Sequence, residues 1–372
     1  MSQVPLQNSA TPILCVMGVG FLLRIYHLGS ESAWTDELWA IDRAKSGIVH
    51  AMESQVSRAD PNWVYDTILY FWMGAFGDSE YSTRMLPVIL GALAIYGIYR
   101  VGEQLFDRTT GIVASAILCA SILHIDLSQQ ARMYTLSGCL ALASFFSFSK
   151  VLNGASKRYY AVWLVSSALA FYTHFLCALT LAAQIVYLLI RWKRLPKEAL
   201  ENFAILQLVM LLLLQPCFYT ILNKSSVIRA PHSHFGLWDA PTLSDVLSVF
   251  VDVSGSYYLF AVFGCFACIA LYYLIIAKDK KTNAENSEVI NSSQEGLLIV
   301  LLWILVPSLL VFCVATAFPG LHSAWRTRYL FSYSLGFVLL CARGYCLLNG
   351  LWLKTGLASL FVLLSMLAYI DH

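Results

Sequence analysis

Two carboxylates, Asp36 and Glu37, stand side by side between Trp34 and Trp39 in the stretch SAWTDELWAID (32–42). Other polar and ionisable side chains recur in short breaks along the chain. They are Asp60 before Pro61, Gln130, Arg132 and Tyr134 in SQQARMYTL (128–136), His174 in YTH (172–174), and Arg326 and Arg328 in HSAWRTRY (322–329). A carboxylate can take the proton of an attacking hydroxyl as the new bond forms. Arginine forks bind phosphate bidentately. Such a set suits transfer of a group from a lipid phosphate to a hydroxyl or amine acceptor. Trp34, Trp39 and Trp63 would offer stacking faces for a sugar ring.

Each residue also has a plainer reading. Asp36 and Glu37 could form a solvated cap at the start of a helix after Trp34, although an exposed cap leaves the flanking tryptophans unexplained. Arg132 could snorkel to lipid headgroups, and Arg326 and Arg328 could be interfacial anchors. His174 lies on an apolar stretch, where a packing histidine is as ordinary as a ligand. His232 and His234, in RAPHSHFGLW (229–238), have no third ligand in sequence and form a weak metal signal. What favours chemistry is that all of these fall on one face of a membrane, where ionisable groups mark functional sites by default.

That face follows from the elements that must carry these residues. Of 372 residues 59% are hydrophobic and 12% charged, with a mean hydropathy of +0.67. A soluble domain carries about 25% charged residues, so the chain reads as an all-α polytopic membrane protein. A net charge of +2 is too small to suggest nucleic acid. The ten cysteines all fall within apolar runs, and the Cys265–Cys268 pair has no second Cys or His pair nearby.

A crossing helix needs about 20 apolar residues. Candidate runs lie at about 11–28, 85–106, 111–127, 134–151, 159–175, 176–192, 203–222, 257–277, 297–317, 328–347 and 351–370, eleven in all. The run 63–76 is set apart. Its fourteen residues reach about 21 Å, Asp66 interrupts it, and its aromatics suit the membrane–water interface. It reads as a helix lying on the surface. With eleven spans one side receives fourteen basic residues, from Arg100 and Arg108 through Lys278, Lys280 and Lys281 to Arg343 and Lys354. The other side has nine, four of them spread over the long segment 29–84. The positive-inside rule makes the first side cytoplasmic. Segments 29–84 and 223–256 then face outward, and 278–295 is a cytoplasmic linker. MSQVPLQNSA lacks a basic n-region, so the first segment is expected to stay as an anchor. The chain reads as a single transmembrane domain over 1–372.

The stretch LRIYHLGSESAWTDELWAIDRA (23–44) resembles the first span and loop of the GT-C glycosyltransferases, polytopic enzymes related to protein O-mannosyltransferases and to bacterial lipid A aminoarabinose and galacturonate transferases. The resemblance continues through QARMY (130–134) and FYTHF (171–175) and ends with RTRYLFSYSLGFVLLCARG (326–344). It covers most of 20–192 and then 325–345. It implies the GT-C fold, with about 11 transmembrane helices and a long outward first loop carrying juxtamembrane helices. It also implies a polyprenyl- or dolichyl-phosphate sugar donor and inversion at the anomeric carbon. The family's essential first-loop acid maps onto Asp36, with Glu37 beside it. Two departures stand out: Asp60-Pro61-Asn62 where many relatives have His or Lys before Pro-Pro, and Gln130 where an acidic residue is common.

The expectation is a glycosyltransferase of a bacterial inner membrane. It would move a sugar from polyprenyl phosphate to a lipid, polysaccharide or protein acceptor at the periplasmic or outer face. Asp36 is the expected base, and Glu37 orients or binds beside it. Arg132, Arg326 and Arg328 are candidates for the donor phosphate, and Asp60, Gln130, Tyr134 and His174 complete the substrate-binding set. The sequence names no cofactor and leaves a divalent metal open. A transporter or lipid flippase is the rival, disfavoured because the polar groups crowd one face and not the midplane. A non-catalytic relative is a third reading.

Overall fold

The computed structural model describes residues 10–58, 62–223, 240–276 and 293–370. The described residues form helices and connecting turns, with no strand among them. In chain order the α-helices are α1 (Thr11–Ile25), α2 (Thr35–Lys45), α3 (Ile48–Arg58), α4 (Trp63–Phe76), α5 (Glu80–Leu105), α6 (Arg108–Ala120), α7 (Ile122–Ser128) and α8 (Tyr134–Leu152). They continue as α9 (Arg158–Thr173), α10 (Ala178–Arg191), α11 (Lys197–Asn223), α12 (Leu243–Ser254), α13 (Tyr257–Ile276), α14 (Ser293–Ala317), α15 (Phe331–Leu347) and α16 (Leu351–Ile370). The all-α expectation holds.

Six of these helices are long and apolar enough to cross a membrane: α5, α8, α11, α13, α14 and α16. The pair α6–α7, bent by 64°, makes a seventh if taken as one span. Helix α1 and α15 are apolar but shorter, at 15 and 17 residues, or about 22–26 Å at 1.5 Å per residue. Length and composition thus give six or seven, where the sequence reading counts eleven by including α1, α9, α10 and α15. The chain is a multi-pass membrane protein on either count.

A bilayer offers no hydrophobic drive between helices, so small residues and shared hydrogen bonds do the joining. Gly102 of α5 lies against Gly111 of α6 so closely that a Cβ on Gly102 would stand 2.8 Å from the Gly111 Cα. Trp163 of α9 donates to Gln184 Oε1 of α10 (2.7 Å), Gln184 Nε2 donates to Ser144 Oγ of α8 (3.0 Å), and Ser144 shares a 2.8 Å bond with Ser167. Aromatic packing fills the space between, with Phe145 stacked on Trp303 at 3.7 Å. At one end of the bundle Arg343 pairs with Asp107 (2.6 Å) and donates to Ser293 Oγ (2.7 Å), while Arg191 pairs with Glu295 (2.9 Å). The candidate site lies at the other end.

There α2, α3 and α4 fill the long connection between α1 and α5. The Asp66 that interrupts the 63–76 run is only 1% exposed and receives Arg43 Nε of α2 at 2.8 Å. Trp72 Nε1 donates to the Ser82 carbonyl of α5 (2.8 Å). Helix α4 is therefore docked on protein through Val64, Tyr65 and Leu69, which are buried, while Phe71 and Phe76 stay exposed. The segment 223–256, expected as a loop, contains α12 within its described part. Asp245 accepts from the backbone and hydroxyl of Thr242 (both 2.6 Å) and so closes the first turn, and Val249 and Val253 supply the buried stripe.

Candidate active site

Helix α2 starts at Thr35, so Asp36 and Glu37 lie in its first turn as the cap reading expected. Glu37 does act as a cap, accepting from the Trp34 N–H at 3.3 Å, but it is not solvated: it is 1% exposed. Its carboxylate takes a bidentate fork from Arg84 of α5, with Nε to Oε1 at 2.9 Å and Nη2 to Oε2 at 2.8 Å. It also accepts the Ala131 N–H at 2.7 Å, from the turn between α7 and α8. The remaining Arg84 nitrogen, Nη1, donates to the carbonyls of Leu28 (3.2 Å) and Glu31 (2.7 Å). One buried ion pair thus joins α2, α5, the α1–α2 connection and the QARMY turn.

That junction brings the other candidates together. Ala131 is fixed by Glu37, and its neighbour Arg132, 7% exposed, donates from Nη1 to the Asp36 carbonyl at 3.0 Å. The Asp36 side chain points the other way and is about one-fifth exposed, with Oδ2 3.5 Å from Arg328 Nη1. The two adjacent carboxylates therefore have separate surroundings, one buried with both oxygens taken, one about one-fifth exposed and flanked by an arginine. Arg328 also lies over the rings of Trp34 and Tyr329, each 5.1 Å away. Cation–π contacts of this kind hold a guanidinium in place without using up its donors. His174 follows the end of α9 and stacks on Tyr329 at 5.5 Å, and Tyr134 stands 6.4 Å from His174 and 6.5 Å from Tyr329. Arg132 lies 5.9 Å from the Tyr134 ring. Tyr65 of α4 is buried nearby and its hydroxyl has no hydrogen-bond partner among the described residues. Burial pushes that phenol well above its ordinary pKa, with Arg132 pulling the other way, so it stays a proton donor.

A cleft of about 1630 Å³ opens beside this cluster. Trp34, the Glu37–Arg84 pair, Gln130, Arg326 and Arg328 line it, facing Asp126 of α7, Asp245 of α12 and Tyr369 of α16, while Asp36 lies just behind Arg328 and outside the lining. Gln130 Nε2 donates to Asp126 Oδ2 at 3.3 Å. The structure thus gathers Asp36, Glu37, Gln130, Arg132, Tyr134, His174, Arg326 and Arg328 at one end of the bundle. Asp60, His232 and His234 lie outside the described residues. Among the described residues no three His, Cys, Asp or Glu side chains come together as a metal site.

Sequence reasoning did not single out Arg84 as the partner of Glu37, nor Asp126, nor the fully buried Arg24 of α1. In the sequence Arg84 is one of four basic residues of the segment 29–84, with nothing to mark its partner. For Arg24 a signal existed, since a lone arginine inside an apolar run calls for an interior partner.

The sequence matches the family model described as dolichyl-phosphate-mannose-protein mannosyltransferase over residues 62–219. No curated protein matches it. Among solved structures, ArnT from Cupriavidus metallidurans bound to undecaprenyl phosphate superposes with a TM-score of 0.61 at 12% identity, covering 92% of this chain and 61% of that one. The Archaeoglobus fulgidus oligosaccharyltransferase tethered to an acceptor peptide gives 0.61 at 12% identity, covering 97% and 55%. The archaeal oligosaccharyltransferase AglB from the same organism, in complex with an inhibitory peptide and a dolichol-phosphate, gives 0.59 at 11% identity, covering 96% and 54%. This chain therefore spans about three-fifths or less of the length of these structures. The resemblance to the GT-C superfamily read from the sequence is borne out, and the fold is that of these membrane glycosyltransferases. A further Archaeoglobus fulgidus oligosaccharyltransferase structure contains Zn and sulfate.

Proposed function

We propose that this protein transfers a sugar from a polyprenyl-phosphate donor to a hydroxyl-bearing or amine-bearing acceptor, in the cleft beside α2. The observation that carries the reading is the convergence of an accessible carboxylate, Asp36, with two guanidinium groups, one 3.5 Å from its Oδ2 and one bonded to its own carbonyl at 3.0 Å. In the proposed step the acceptor oxygen or nitrogen attacks the anomeric carbon from the face opposite the phosphate. The bond from that carbon to the phosphate oxygen breaks, and polyprenyl phosphate leaves with the electron pair. The acceptor proton passes to Asp36, and inversion follows from the direction of attack.

Arg328 and Arg132 are assigned to the phosphate, where charge builds up as the bond breaks, with Arg326 at the cleft wall as a third basic group. Glu37 is assigned to positioning, since its two oxygens are already taken by Arg84, Ala131 and Trp34. Gln130, Tyr134 and His174 are assigned to substrate contacts around the same cluster, and Asp60 keeps its place in that set on the sequence reading. The positive-inside asymmetry supports an outward or periplasmic face in a bacterial inner membrane. The undecaprenyl phosphate and dolichol-phosphate in two of the superposed structures support a polyprenyl-phosphate carrier. A divalent metal would need ligands beyond those that the described residues bring together.

The test is reconstitution. Purified protein in phospholipid vesicles is given polyprenyl-phosphate sugars carrying a labelled sugar, together with candidate lipid, glycan and peptide acceptors. Label appearing on an acceptor, with polyprenyl phosphate released in equal amount, supports the reading. Absence of transfer with every donor, while the wild type remains folded, refutes it.

A further inference from the structure

Arg24 closes α1 at 0% exposure, and each of its five N–H donors has an acceptor. Nε donates to Ser128 Oγ (3.3 Å), Nη1 to the carbonyls of Gly20 (2.8 Å) and Cys119 (3.3 Å), and Nη2 to the Leu118 carbonyl (3.1 Å) and His124 Nδ1 (2.6 Å). A guanidinium can only donate, so His124 Nδ1 accepts and the imidazole carries its proton on Nε2. Among the described residues no carboxylate pairs with Arg24. Its counter-charge is the carbonyl end of α6, where the helix dipole is negative.

The place of these acceptors gives the arginine its meaning. Leu118 and Cys119 belong to the last turn of α6, whose carbonyls lose helical partners where the chain bends by 64° into α7. His124 and Ser128 belong to α7. Arg24 therefore bridges the two sides of the bend. The next residue, Gln129, reaches back from its Nε2 to the carbonyls of Arg24 (3.1 Å) and Tyr26 (2.7 Å). Two residues further on, Ala131 meets Glu37, and then Arg132 meets the Asp36 carbonyl. The socket leaves no slack: a Cβ on Gly91 of α5 would collide with Ser128 Oγ and stand 3.1 Å from Arg24 Nε.

We infer that Arg24 is a positioning residue, holding the α6–α7 bend so that segment 129–132 reaches α2 and presents Arg132 beside Asp36. Its role in turnover rests on the function proposed above; its role in placing the segment does not. Lysine keeps the charge but offers one nitrogen where the fork spans five acceptors. Arg24→Lys, Ser128→Ala and Gly91→Ala disturb the same socket from three helices, and Ser128→Ala, which only removes one hydroxyl, keeps the test open if Arg24→Lys or Gly91→Ala fails to insert.

The first readout is hydrogen–deuterium exchange by mass spectrometry. Loss of one bond to a charged group corresponds to about a tenfold rise in local opening. Exchange in the peptide covering 129–134 should rise about tenfold or more in Arg24→Lys and Gly91→Ala and by less in Ser128→Ala, with the peptides of α9 and α10 unchanged. The second readout is kinetic. The donor KM should rise about tenfold in Arg24→Lys while the acceptor KM stays within about twofold. A merely structural loss would lower the active fraction and leave both KM values alone. Unchanged exchange at 129–134 in all variants, or an equal rise across every helix, overturns the placement. Selective exchange with unaltered donor KM overturns the role in turnover. If the wild type transfers no sugar, the function reading fails, and the exchange result still decides whether Arg24 places the segment.

Discussion

Glu37→Gln keeps the shape of the side chain and removes its charge, and the structure makes this a severe change. As a carboxylate, Glu37 accepts on both oxygens: Arg84 Nε and the Ala131 N–H on one, Arg84 Nη2 and the Trp34 N–H on the other. A glutamine has only one accepting oxygen. If that oxygen serves Arg84 Nε and Ala131, its NH₂ faces Arg84 Nη2 and the Trp34 N–H, donor against donor. Flipping the amide exchanges one conflict for the other. Arg84, whose side chain is 6% exposed, is meanwhile left without its counter-ion. Removing one partner of a buried pair costs about 3–5 kcal/mol. Equilibrium unfolding in mixed micelles should show a loss of that size for Glu37→Gln. The double variant Glu37→Gln/Arg84→Gln should lose less than the sum of the two singles, by at least about 1 kcal/mol. At Asp36, about one-fifth exposed, the equivalent Asp36→Asn change should move stability by no more than about 0.5 kcal/mol. A Glu37→Gln protein as stable as wild type, or strictly additive losses in the cycle, would refute the reasoning.

Three further expectations concern the site and its sidedness. Asp36→Asn should lower turnover of labelled sugar by about 10²–10⁴-fold with donor binding retained, because the amide cannot take the acceptor proton; turnover near wild type would remove Asp36 as the base. Arg132→Ala should raise the donor KM by about tenfold or more, each charge-assisted bond being worth about 1.5–3 kcal/mol, and Arg132→Lys should recover only part of that; steady-state kinetics against donor concentration decides. Cysteines introduced at Ser57 and Asn286, in a background without native cysteines, should react with an impermeant thiol reagent from opposite sides of the membrane, and labelling from the same side would contradict the outward placement of 29–84.

The helices were legible because apolar runs in a membrane chain have few other uses, and the runs chosen from the sequence coincide with α1, α5, the α6–α7 pair, α8 to α11 and α13 to α16, while α12 was missed. The meeting of Asp36 with Arg132, Tyr134, His174 and Arg328 was legible for a related reason. Once the direction of each span is assigned, their loops fall at one end, and little more than that end is available to them. What the sequence did not disclose is the division of labour between Asp36 and Glu37. One step along a helix turns a side chain by about 100°, so the pair was bound to diverge, but which member was buried depended on Arg84, 47 residues away. Asp66 looks like an interruption in the sequence for the same reason: Arg43, with which it pairs, lies on another helix. The bend at Ser121 escaped because no Gly or Pro marks it between residues 112 and 127, and the carbonyls of Leu118 and Cys119 beside it are met by Arg24, on another helix.

The Glu37 junction also sets an order of assembly. Its acceptor oxygens, the Arg84 fork and the Ala131 amide leave the ribosome at different times. Arg84 follows Glu37 by 47 residues and Ala131 by 94. At about 5–20 residues per second, the later partner arrives roughly 5–20 s after the carboxylate. During that interval α2 can pair with α5 but cannot be sealed, and the carboxylate keeps an oxygen facing water. The Glu37 junction therefore closes from its C-terminal side, when the α7–α8 turn comes down onto a pairing already built, and the later chain from α9 to α16 adds the remaining walls. A nascent chain arrested before residue 131 should hold α2 accessible to protease, and one arrested well beyond it should not.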